Sequence, residues 1–118
     1  MFGFLLLLLA KEKDMTIEEK AIIMKPLYAI AAHYGVKDST IISFKKRSVL
    51  LDKLKEKNED AYALANDFIL SQIKLDRIKN DKEKQMKNSE LWNSEMLLAQ
   101  EEASTSEHNL SEFFTKLN

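Results

Sequence analysis

The chain has no cysteine, one proline and only two glycines in 118 residues. Without cysteine there are no disulfides and no thiolate metal sites. The two histidines, His33 and His108, lie far apart with no partner at ligand spacing, so neither a metal nor another cofactor is expected. The scarcity of glycine and proline leaves few turn-forming residues for a β fold, and the dominance of Leu, Lys, Glu, Ala and Ile favours helices. The expected fold class is all-α, with room for one modest core or for a small domain plus a helical tail. Also lacking are a Gly-rich phosphate loop, a Ser-His-Asp or Cys-His set, and paired carboxylates in an apolar setting. The acidic residues sit on amphipathic stretches and read as solvated faces, so no enzymatic activity is expected.

A hydrophobic run long enough to span a bilayer is missing too. Residues 2–10 read FGFLLLLLA without a charge, but a spanning helix needs roughly 20 apolar residues. A signal peptide would carry basic residues ahead of the run, and here there are none. The segment is expected to be an apolar extension packed on the domain, or to lie upstream of a more natural initiator, Met15. A membrane partner is not expected.

The net charge of −1 hides an uneven distribution. Residues 20–57 hold nine basic side chains against Asp38, Asp52 and Glu56, a net of +6. Residues 88–118 hold six glutamates against Lys116 alone, a net of −5. A basic module followed by an acidic tail suits a polyanionic partner such as nucleic acid.

Along the chain, Thr16-Ile17-Glu18-Glu19 has the form of a capping box and predicts a helix start. Pro26 is expected to end that helix, a second short helix to run from about Leu27 to His33, and Gly35 to stop it. A third helix is expected from Asp38 or Ser39 through Lys45, Lys46 and Arg47. From Val49 on, Leu51, Leu54, Ala61, Ala65, Phe68 and Leu75 recur at steps near three and four, with Asn58 and Gln72 interrupting the stripe. These interruptions favour packing within the chain over a long coiled coil. Residues 80–89 are polar and predict a solvated helical stretch, Trp92, Met96, Ala99 and Ala103 mark another amphipathic helix, and residues 104–109 are expected to be a linker.

Residues 27–46, LYAIAAHYGVKDSTIISFKK, meet the demands of two packed helices. The fifth place, where the helices cross, is Ala31, and the ninth, where the chain turns, is Gly35. Ile30, Tyr34, Val36, Ile41 and Phe44 would point inward. Lys37, Ser39, Thr40, Ile42, Ser43 and Lys46 would point outward, with hydroxyls able to bond base edges and Ile42 able to meet a thymine methyl. The stretches MTIEEKAII (15–23), IAAHYGVKDSTI (30–41) and FKKR (44–47) together resemble the pipsqueak-type domain of centromere protein B and of pogo/Tigger transposases, over about a third of the chain. That resemblance implies a small three-helix, helix-turn-helix domain on double-stranded DNA. It assigns base reading to Lys37, Ser39, Thr40 and Ser43 and phosphate contact to Lys45, Lys46 and Arg47. The connection at Lys25-Pro26 is shorter than in the family. The chain would then be a transposase-derived fragment or a small regulator, nuclear in a eukaryote and cytoplasmic otherwise. A single module binds weakly, so tighter specific binding would need a second copy, by dimerising or by duplication.

At the other end, Glu107-His108-Asn109-Leu110-Ser111-Glu112-Phe113-Phe114 resembles a sliding-clamp-binding peptide, with Glu107 where glutamine is usual. The resemblance implies that Leu110, Phe113 and Phe114 plug an apolar pocket on a partner. The alternative is that they pack back on the domain. The expected organisation is an extension (1–14), a helix-turn-helix domain (15–57), long amphipathic helices (58–103) and an acidic, aromatic tail (104–118). Two rival functions share this layout: a non-enzymatic helical adaptor that binds a partner through its helices and the Phe113-Phe114 tail, and a phage small packaging subunit.

Overall fold

A computed structural model describes residues 15–117, and the expectations for residues 1–14 lie outside them. The described residues hold five α-helices, two short 3-10 turns and no strand, an all-α fold. We number the helices α1 (Ile17–His33), α2 (Arg47–Lys57), α3 (Glu59–Lys79), α4 (Lys82–Lys87) and α5 (Ser89–Leu117). The 3-10 turns, Ser39–Ile41 and Phe44–Lys46, lie between α1 and α2.

Helix α1 starts where the capping box places it. The Thr16 hydroxyl accepts from the Glu19 amide at 3.1 Å, which satisfies one of the free N–H groups of the first turn. The helix does not end at Pro26; it runs on to His33. A proline inside a helix costs about 3 kcal/mol. Against that, Ile23, Met24, Leu27, Ile30 and Ala31 form one buried stripe on both sides of Pro26, and each large apolar side chain buried adds about 1.5–3 kcal/mol. Breaking the helix would break the stripe, so continuity wins. Gly35 does stop the helix as expected. Its φ of +75° lets its amide reach the Ala32 carbonyl at 3.0 Å while the Val36 amide reaches the Ala31 carbonyl at 2.9 Å. This is the paired closure that a left-handed residue allows, with buried Val36 packed behind it.

Asn58 divides the apolar stripe in two. Its backbone is extended and its side-chain oxygen accepts from the Ala61 amide at 3.0 Å, so it opens α3. Helix α2 buries Leu50, Leu51 and Leu54, and α3 buries Ala61, Ala65, Phe68, Ile69 and Ile73. After the short, wholly unburied α4, α5 returns antiparallel along α3. The pairing is marked by Ser71 with Ser106 (2.6 Å), Lys74 with Glu102 (3.1 Å) and the Trp92 indole N–H donating to the Ile78 carbonyl (2.8 Å). Alanines 99 and 103 face inward on α5 and let the two helices approach closely.

The linker expected at residues 104–109 is not formed, because α5 continues through them. No glycine or proline interrupts the segment, and Ala103 and Leu110, seven residues apart, carry the inward face across it. Helices α1, α2, α3 and α5 meet in one core to which residues from Met15 to Leu110 contribute. Among the described residues, no helix is long and apolar enough to cross a membrane.

Candidate nucleic-acid interface

The basic third of the chain lies on α1, on α2 and on the segment joining them. That segment, residues 34–46, is not the recognition helix expected from the sequence. Asp38 adopts a left-handed conformation (φ 65°), and Ile42 is extended (φ −78°, ψ 117°) between the two 3-10 turns. Serine, threonine and the β-branched isoleucines are poor helix formers when nothing on their face demands burial, and the run Ser39-Thr40-Ile41-Ile42-Ser43 contains nothing else. The change of geometry exchanges two side chains. Ile41, expected inside, is 76% exposed, and Ile42, expected outside, packs against the core. A tight turn has three residues per turn rather than 3.6, so the inward position moves. The Ile42 side chain, expected to meet a thymine methyl, is partly buried against the core.

The remaining candidates divide. Lys37, Thr40, Ser43, Lys45 and Lys46 are exposed. Ser39 is 5% exposed and turned into the protein, unlike the other candidate hydroxyls Thr40 and Ser43. Arg47 is half-buried: its guanidinium lies 4.2 Å from the centre of the Phe44 ring, and its Nη1 donates to the Phe44 carbonyl at 3.1 Å. Phe44 itself is buried, so this stacking fixes the start of α2 on the core. Lys20 approaches the same ring at 5.9 Å. No carboxylate occurs between residues 39 and 51, and neither Lys45 nor Lys46 forms an ion pair among the described residues.

The placement of these cations runs against the usual preference. The first turns of a helix carry partial positive charge and favour anions, by about 0.3–1 kcal/mol each. Here Lys45 and Lys46 stand where the helical run into α2 begins, with no acidic residue in its first turn and no side-chain cap. An anion bound there would meet exposed ammonium groups and helix amides together. Sequence reasoning found these cations but not the ring that holds Arg47; an aromatic three residues before an arginine was the available signal.

The C-terminal peptide is not a free tail. Leu110 is 4% exposed, and Phe113 and Phe114 are half-buried against the core. They are the inward side chains of the last turns of α5, the arrangement of the alternative in which they pack back on the domain. The chain matches no protein-family model, no curated protein and no solved structure.

Proposed function

We propose that this chain is a non-catalytic DNA-binding protein that grips the phosphate backbone of a duplex through Lys37, Lys45 and Lys46, with Lys53 on the following helix. The observation that carries this reading is the unpaired lysine pair at the start of the helical run into α2, set in a stretch without carboxylates. Charge placed against the helix dipole is a cost to the free protein that a bound phosphate removes. The likeness of residues 15–47 to the pipsqueak-type domain favours duplex DNA among polyanions, and with it a transposase-derived fragment or a small regulator.

Because the stretch is turned rather than helical, the reading is of backbone contact first. Thr40 and Ser43 are the exposed hydroxyls open to base edges. Phosphate contacts position a protein and carry little sequence information, so binding should be weak, broad and salt-sensitive.

Fluorescence anisotropy with a mixed-sequence duplex at about 50 and 200 mM salt tests this. The wild type should bind at the lower salt and weaken steeply at the higher. Lys45→Ala with Lys46→Ala should lower affinity across sequences and reduce the slope of log affinity against log salt by about 2. Absence of binding at the lower salt overturns the reading. A helical adaptor is the second reading, favoured by the solvent-facing Leu91, Leu97 and Leu98 of α5.

A further inference from the structure

A groove of about 590 Å³ runs between α1 and residues 43–45. Its walls include the apolar side chains Ile17, Met24 and Phe44, and Lys20, Lys25 and Lys45 stand along it. Among the described residues, no carboxylate lines it. Ile17, at 83% exposure, leaves apolar surface open at one end. An occupant matched to such a groove is apolar in the middle and acidic at its edges, the usual layout of a protein contact with a polar rim.

The same molecule carries that complement. Helix α5 buries Ala99, Ala103 and Leu110 on one side. On its opposite side Leu91, Leu97 and Leu98 are 45%, 68% and 55% exposed. Glu90 and Glu101 flank them, both exposed and neither in an ion pair among the described residues. Leu91 and Leu98 are seven residues apart, as are Glu90 and Leu97, so the five side chains share one face of the helix.

We infer that the leucine ridge of α5 in one copy docks into the lysine-lined groove beside α1 in another, so that the chain self-associates head to tail. Groove and ridge belong to helices fixed in one core, so the two cannot close on each other within a molecule. The charge segregation along the chain, +6 over residues 20–57 and −5 over residues 88–118, gives each copy a basic and an acidic side that attract in this arrangement. The two surfaces differ, so the contact is heterologous and builds a ring or an open chain rather than a two-fold dimer. The groove shares Lys45 with the proposed DNA contact, but the inference does not rest on that reading, and its test contains no nucleic acid.

Sedimentation velocity on the full chain should show mass rising with concentration in steps of 13.7 kDa, and rising less at about 500 mM salt than at 50 mM. The double variant Lys25→Glu/Lys45→Glu places carboxylates at the groove and leaves the ridge acidic. The double variant Glu90→Lys/Glu101→Lys places ammonium groups on the ridge and leaves the groove basic. Each alone should stay monomeric, and an equimolar mixture should associate again, because every groove then meets a ridge of opposite sign. A wild type that stays monomeric to near-millimolar concentration overturns the inference. So does association that both variants retain alone, or a mixture that stays monomeric while the wild type associates.

Discussion

The Tyr28 hydroxyl donates to the Ile42 carbonyl at 2.8 Å, tying the middle of α1 to the first of the two extended residues between the two 3-10 turns. Ile42 has no regular helix to absorb its carbonyl, so this side chain does work that a backbone amide does elsewhere. The bond holds the basic segment against the core at its midpoint. Tyr28→Phe keeps the ring and removes the donor. It should cost about 0.5–1.5 kcal/mol in urea unfolding, and amide exchange should accelerate over residues 39–46 more than in α3. Equal acceleration in both would mean that the bond supports the fold as a whole rather than the segment.

Gly35 and Asp38 both have positive φ, at 75° and 65°, and they should respond oppositely to substitution. A Cβ at Gly35 would meet nothing within 4 Å, so the cost of Gly35→Ala is conformational alone, about 1–2 kcal/mol. Asp38→Gly relieves the same conformational penalty while adding freedom to the unfolded chain, worth about 0.5–1 kcal/mol the other way. Gly35→Ala should therefore lower the urea midpoint clearly, and Asp38→Gly should leave it near or above that of the wild type.

These two positions also show where the sequence was legible. Gly35 stands between apolar periodic residues and was readable as a stop, and Thr16 with Glu19 was readable as a start. Asp38 was read as a helix start, and nothing local distinguishes a capping aspartate from a left-handed one. Pro26 was misread because its local penalty is visible in one residue, while the gain that outweighs it is spread over Ile23, Met24, Leu27 and Ile30 and depends on the surface they meet. Asn58 followed by Glu59 and Asp60 carried the signature of a helix start and was passed over as an interruption of a stripe. The basic residues of the candidate interface were all visible in the sequence. Their exposure was not, because the swap of Ile41 for Ile42 and the burial of Ser39 follow from a turn geometry that short-range patterning does not encode.

Leu110 and Leu97 offer a direct test of the C-terminal packing, since they lie on one helix with exposures of 4% and 68%. Leu110→Ala should cost about 2–5 kcal/mol, the range for a large side chain removed from a core. Leu97→Ala should change stability by no more than about 0.5 kcal/mol. Urea unfolding followed by circular dichroism reads both. A Leu110→Ala protein as stable as the wild type would show the peptide to be free for a partner, and would restore the clamp-like reading of Leu110, Phe113 and Phe114.

Glu19 and Asp76 bring two carboxyl groups together between α1 and α3. The Asp76 carboxyl is held above its ordinary value of 3.8, first by burial and then by the charge of Glu19, with Lys79 pulling it back. The Glu19 Oε2 atom is buried without a hydrogen-bond partner among the described residues. A raised native value means that the folded protein holds the Asp76 proton more tightly than the unfolded chain does. Stability is therefore not penalised by this group below its ordinary value; the penalty grows as pH rises from there toward the native value, because the unfolded chain gives up its proton first, and it levels off once the native state has given up its proton too. Asp76→Asn puts a neutral donor beside Glu19 and removes the titration. Urea midpoints measured from pH 4 to pH 8 should show the variant gaining on the wild type as pH increases, with the two converging at the acid end. A difference that is constant across this range would mean that Asp76 titrates alike in both states, and that the pair contributes nothing to the pH dependence of the α1–α3 contact.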